Sequence, residues 1–154
     1  MHAETEDLLR AYRATPEILR GLLAGRTPAQ LAARGGDEGW TVVEVICHLR
    51  DAEERGLQRT RAMRDQDNPT ILGYDQEQLA REGNYAVGKL EDALAAFFSL
   101  RQAHVRELED LSAEGWMRTG QHNEVGQITI RSQIAHLTAH DAVHLAQIAR
   151  QIRG

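Results

Sequence analysis

Apolar residues in segment 89–111 fall at three- and four-residue steps: Leu90, Ala93, Leu94, Phe97, Leu100, Val105 and Leu108. That spacing returns side chains to one face of a 3.6-residue helix, whereas a strand would alternate faces at every residue. Three further segments read the same way. The first begins at Thr5, taken as an N-cap with Glu6 and Asp7 in its first turn. Its stripe starts at Leu8, Leu9 and Tyr12 and continues through Ile18, Leu19, Leu22 and Leu23. Thr15-Pro16 predicts a kink or restart, because proline lacks a donor and restricts the residue before it. Thr41-Val42-Val43-Glu44 reads as a capping box launching a long helix to about Gln66, stopped by Asp67-Asn68-Pro69. The last helix starts near Thr129 and runs almost to the C-terminus. Between them, Thr27-Pro28-Ala29-Gln30 is a capping box for a short helix ended by Gly35-Gly36. Segment 70–85 reads as loop with one helical turn after Asp75, and 115–126 as a glycine-bearing loop. The expected fold is all-α: a four-helix bundle with one or two short extra helices in its connections. Two sizeable connections argue against the short-looped up-and-down arrangement and leave the topology open.

A chain of 154 residues, 42% of them hydrophobic, fits one domain covering 1–154 with a real core. Net charge is −5, which gives no general attraction to phosphate backbones, so a nucleic-acid partner is not expected. Arg55, Arg59, Arg61 and Arg64 are balanced by Asp51, Glu53, Glu54 and Asp65, the pattern of a solvated helix face. The longest apolar runs, such as 93–100, fall far short of the ~20 residues a membrane span needs. One cysteine, Cys47, excludes an internal disulfide and fits a reducing compartment. The acidic N-terminus does not resemble a signal peptide, so the expected location is cytoplasmic.

The chemistry concentrates in the last helix, where IAHLTAHDAVHLAQIAR sets His136, His140 and His144 four residues apart. Neighbours at that spacing share a helix face, but His136 and His144 are separated by about 12 Å along the axis and cannot hold one ion. With Ile134 at zero and about 100° per residue, the apolar stripe lies between roughly 300° and roughly 20°. His144 then falls at about 280°, His140 at about 240° and His136 at about 200°. The pair nearer the interior is therefore His140/His144. Gln133, Gln147 and Gln151 share that polar band. A third ligand must come from another helix, and His48, on the flank of the second with Val45 and Ala52, is the best candidate. Three histidines with an open position make a catalytic type of metal site, whereas closed four-ligand sites are usually structural.

The remaining polar residues have plainer readings. His2, His104 and His122 read as terminal, surface-helix and loop residues, and His136 as part of the polar seam or as support for a ligand. Cys47 points about 100° from His48 and reads as a buried inert thiol. Asp141 falls within the apolar stripe, at about 340°, and needs a partner. That partner is either a ligand histidine such as His48, or an arginine such as Arg50 or Arg55, the structural role being slightly favoured. Asp51 and Glu54 lie near His48 in sequence and could act as a general base, although a solvated face explains them better. No catalytic side chain is assigned.

Two distant segments carry a family resemblance. GWTVVEVICHLRDAE is similar to a tryptophan-led second helix with a histidine-leucine step, and HLTAHDAVHLAQIAR to a closing motif of two histidines followed by glutamine-isoleucine. Together, and with GQHNEVGQITI before the last helix, they resemble the DinB/YfiT-like metalloprotein superfamily over residues 12–150. The resemblance implies a four-helix bundle, often a homodimer, with a divalent metal on His48, His140 and His144. Zinc comes first, with nickel, iron or copper as alternatives. It also implies activation of water or of a low-molecular-weight thiol such as bacillithiol for hydrolysis of, or transfer to, a small electrophile, in stress response or detoxification. A thiol-dependent maleylpyruvate isomerisation is a further activity of the wider superfamily. Two other classes compete with an enzyme: a non-catalytic metal-binding stress-response protein, and a plain helical interaction module.

Overall fold

The computed structural model describes residues 3–35 and 39–153; His2 and Gly36, read above as terminal residue and helix stop, lie outside them. Four long helices form the frame: α1 (Ala3–Leu23), α3 (Val42–Asp65), α5 (Leu90–Glu109) and α7 (Ile130–Arg153). Their principal contacts run in a ring, with α3 against α5 and α7, and α1 against α7 and α5. Two apolar clusters fix the directions. Leu9 and Tyr12 of α1, Met63 of α3, Leu108 of α5 and Ile130 and Ile134 of α7 share one end. Leu19, Ile46 and Leu49, Phe97, and Ile148 and Ile152 share the other. Thus α1 runs parallel to its neighbour α7, and α3 parallel to α5. The ion pairs Arg131–Glu4 and Arg61–Glu107 join like ends of these parallel pairs. Each consecutive antiparallel pair sits on a diagonal. Parallel neighbours in sequence need a connection as long as the bundle, which explains the long segment between α3 and α5.

Between the two apolar ends lies a polar layer. Arg101 of α5, 2% exposed, donates from Nε to Glu53 of α3 (2.9 Å) and from Nη1 and Nη2 to Asp141 of α7 (2.8 and 3.1 Å). It also donates to the Tyr12 carbonyl of α1 at 2.8 Å. That last bond corrects the expected kink: α1 continues through Pro16. A proline at position 16 cannot donate to the carbonyl four residues earlier, and Arg101 satisfies that oxygen instead. Thr15 donates to Asp141 at 2.8 Å. The partner of Asp141 is therefore Arg101, with Thr15, rather than His48, Arg50 or Arg55. His104 is fully buried, against the surface position read from sequence, and Glu53, 1% exposed, is no part of a solvated face. His104 Nδ1 and Tyr12 Oη both bond the Glu53 carboxylate (2.8 and 2.5 Å), while Thr60 meets His104 Nε2 at 2.8 Å. Every member of this layer is partnered, which makes a buried charge cluster tolerable.

The helix ends follow local chemistry. Thr27 and Gln30 complete a capping box for α2 (Pro28–Ala32), which ends at Ala33, before the glycines. Residues 34–35 instead form β1 (Arg34–Gly35), paired antiparallel with β2 (Trp40–Thr41). The Thr41 hydroxyl accepts from the Glu44 N–H, whereas the Glu44 carboxylate turns to Arg34 and the Thr41 hydroxyl. Thr5 is no cap, being buried within α1.

The connections hold more structure than expected. Segment 70–85 contains β3 (Thr70–Ile71) and a two-turn α4 (Gln76–Glu82) capped by Asp75, followed by a 3-10 turn at Tyr85–Val87. The loop read over 115–126 holds the end of α6 (Ala113–Trp116), then β4 (Thr119–His122) and the start of β5 (Gly126–Thr129). β4 pairs antiparallel with β5 and parallel with β3. This small sheet rests directly on α3, where a Cβ at Gly120 would stand 2.8 Å from Ile71 Cγ1 and 3.0 Å from Met63 Cγ. Among the described residues no helix is long and apolar enough to cross a membrane.

Candidate metal centre

His48 stands two turns into α3, and His140 and His144 lie on the adjoining face of α7. Their ring centroids form a nearly equilateral triangle, with separations of 4.8, 4.8 and 4.5 Å and planes inclined at 62–70°. One nitrogen from each lies within 4.8 Å of the others, and the Nε2 atoms of His48 and His140 are 2.8 Å apart. His144 Nδ1 is 2.8 Å from Gln147 Oε1. An amide oxygen only accepts, so Nδ1 carries the proton and Nε2 keeps its lone pair. Burial first, and the nearby His144 second, push His48 down to about 4 and His140 down to about 3. These two rings are therefore neutral at pH 7, the state a metal requires. The donor set fits a divalent ion of intermediate softness, since tetrahedral bonds of about 2.0–2.1 Å would place nitrogens ~3.4 Å apart. Trp40 covers His48 at 5.2 Å between centroids and closes the site on its inner side.

The opposite side opens into a cavity of about 290 Å³ with His48 and His140 in its wall. Ala52 and Gly56 of α3 and Gln133, His136 and Leu137 of α7 form its base. The connections supply the remaining wall: Gly73, Tyr74 and Gln76 before and within α4, and His122 and Glu124 from the β4–β5 hairpin. These two strips are laced together, since Asn123 Oδ1 accepts from Gly73 N at 2.9 Å and Asn123 N donates to Ile71 O at 3.0 Å. His122 Nδ1 accepts from Glu124 N at 3.1 Å and shapes the turn.

The placement of the other candidates is equally definite. His136 is exposed and lines the cavity one turn before His140. Cys47 is buried, and burial raises its thiol pKa, which suits an inert core residue. Asp51 and Glu54 face a separate depression with Gln58 and Leu79. There Asp51 accepts from Tyr85 and Arg50, so neither acid is placed as a base for this cavity. The sequence reading missed Arg59, Tyr74 and Glu124. Of these, Arg59 was accessible by the same angular count, eleven residues and about 20° from His48.

Parallel neighbouring helices and a three-histidine cluster beside a polar cavity define a four-helix bundle with a candidate metal site. The sequence pattern of the DinB superfamily matches residues 11–148, and the chain belongs to that superfamily. A protein of Oceanobacillus iheyensis named "Putative metal-dependent hydrolase" is 31% identical over 145 residues, covering 94% of this chain and 80% of the relative. A Geobacillus kaustophilus protein with the same description is 26% identical over 147 residues, covering 95% and 83%. The fold is similar to that of YfiT from Bacillus subtilis, described as a probable metal-dependent hydrolase with an unusual four-helix bundle topology. The TM-score is 0.90 at 22% identity, covering 99% of this chain and 89% of that one. The four-helix bundle protein TT2238 is also similar, with a TM-score of 0.67 at 22% identity over 92% of this chain and 95% of that one.

Proposed function

We propose that His48, His140 and His144 hold a divalent metal ion, zinc first, and that the protein is a metal-dependent hydrolase of a small molecule. The convergence of three imidazoles from two helices, two of them in the wall of a 290 Å³ cavity, carries this reading. When bound, the ion lowers the pKa of a water or thiol that it holds and polarises an electrophilic carbon beside it. Gln147 orients His144, and Trp40 keeps solvent from the inner side of His48. His136, exposed on the cavity wall one turn before His140, is the side chain proposed to take the proton that the attacking nucleophile gives up. The hydrolase names of the relatives and the polar lining favour water as nucleophile. Thiol transfer uses the same residues and differs only in what is activated.

The test is metal content by elemental mass spectrometry on tag-free wild type, His48→Ala and His144→Ala. About one equivalent in wild type, lost in both variants, is the expected result. Metal retained without His48 would break the cross-helix site. A panel of esters, amides and epoxides, with and without added thiol, then separates hydrolysis from transfer, and no turnover of any of them overturns the enzyme reading.

A further inference from the structure

Arg59 sits on the His48 face of α3, about 16 Å further along the axis, and its long side chain leans back towards the histidines. It lines the same cavity as His48 and His140. Its neighbours Arg61 and Arg64 pair with Glu107. Arg59 has no such pair: among the described residues no carboxylate lies within ion-pair distance of it. Its Nη2 donates instead to the Leu72 carbonyl at 2.6 Å, and its guanidinium carbon stands 5.5 Å from the Tyr74 ring centroid. Arg55 shares that ring at 4.7 Å. Two cations therefore converge on one half-buried phenol at the cavity wall. Glu124, the one acid among the lining residues, is exposed on the hairpin turn. Glu124 acts on Arg59 at a distance without pairing with it, so the half-buried guanidinium has no carboxylate at ion-pair distance and can take one from a ligand. One end is tied to Leu72, and the free N–H edge matches a planar, singly charged acceptor.

We infer that Arg59 is a specificity-determining residue that binds a carboxylate on the substrate, so the cavity takes small carboxylate-bearing compounds whose reacting group faces the histidines. This rests on the cavity being the substrate site, as argued above, but not on the metal.

The probes are 4-phenylbutanoate, its uncharged amide, and phenyl phosphate. Calorimetric titration uses chelator-treated protein, so that no bound metal competes for the carboxylate. Wild type should bind the carboxylate at least about tenfold more tightly than the amide. Arg59→Gln should erase that ratio while leaving amide affinity and metal content unchanged, and Arg59→Lys should retain part of it. A merely structural role would weaken acid and amide alike, and that outcome overturns the inference. Equal binding of acid and amide by wild type overturns it as well, as does tighter binding of the phosphate. Metal content is measured on each preparation before the chelator is added, so failure of the metal site and failure of Arg59 recognition are read separately.

Discussion

His144 donates its Nδ1–H to Oε1 of Gln147, one turn further along α7, at 2.8 Å. The bond fixes the tautomer, so that Nε2 faces His48 and His140 with its lone pair free. Gln147→Leu removes the acceptor and leaves the ring free to turn or change tautomer. Metal affinity should fall about 10–100-fold, as measured by competition with a chromophoric chelator, while Gln147→Glu should stay near wild type. An unchanged affinity in the leucine variant would remove Gln147 from the account.

The metal-free protein should lose stability on mild acidification. His48 is held down to about 4 and His140 to about 3, below the ordinary value of 6.5, by burial and then by His144. Above pH 6.5 neither the folded nor the unfolded chain protonates these rings, and stability does not depend on them. As pH falls through 6.5 the unfolded chain gains protons that the folded one refuses. Stability is therefore lost progressively down to about pH 4 for His48 and about pH 3 for His140. Each group can contribute a slope of up to about 1.4 kcal/mol per pH unit. Thermal unfolding in chelator at pH 7 and pH 5 checks this, with the lower midpoint expected at pH 5.

Arg101→Met should be far more damaging than an ordinary loss of one ion pair. Glu53 and Asp141 would both be left buried beside an unsatisfied Tyr12 carbonyl. A cost of about 3–5 kcal/mol is expected by urea denaturation at pH 7. Adding Asp141→Asn should recover part of that loss, since it removes one of the stranded charges.

Thr41→Ala removes the side-chain acceptor at the start of the helix that carries His48. Chemical denaturation should register a loss of about 1 kcal/mol. The other predicted cap gives the contrast. Thr5 is buried inside α1, so the effect of its replacement depends on packing rather than capping.

These two threonines show what was legible. A cap before a strongly periodic run is local chemistry, and the four long helices could be read from one stretch of chain at a time. The convergence of His48 with His140 and His144 could be anticipated from helix faces, because each lies on the flank of an apolar stripe. The polar layer was not legible in this way. His104 looks like a surface residue until Glu53, Tyr12 and Thr60 arrive from two other helices. Pro16 looks like a break until Arg101 takes the carbonyl it leaves free. The β4–β5 hairpin was missed because its strands are short and bear glycine, and β3 pairs with it from far away in the sequence.

That parallel pairing of β3 with β4 has a consequence for the order of assembly. Thr70 meets Gln121 only after the whole of α5 has been laid down and turned back, and the strands it joins are only two and four residues long, so the contact has little stability of its own. Contacts between the long helices do not require it. In refolding, the helices and the histidines they bear should come together before the strip that walls the cavity. Pulse-labelled amide exchange should show protection in α3 and α7 ahead of protection at Gln121 and Asn123. The pocket is then the last part of the molecule to close and, under mild denaturant, the first to open.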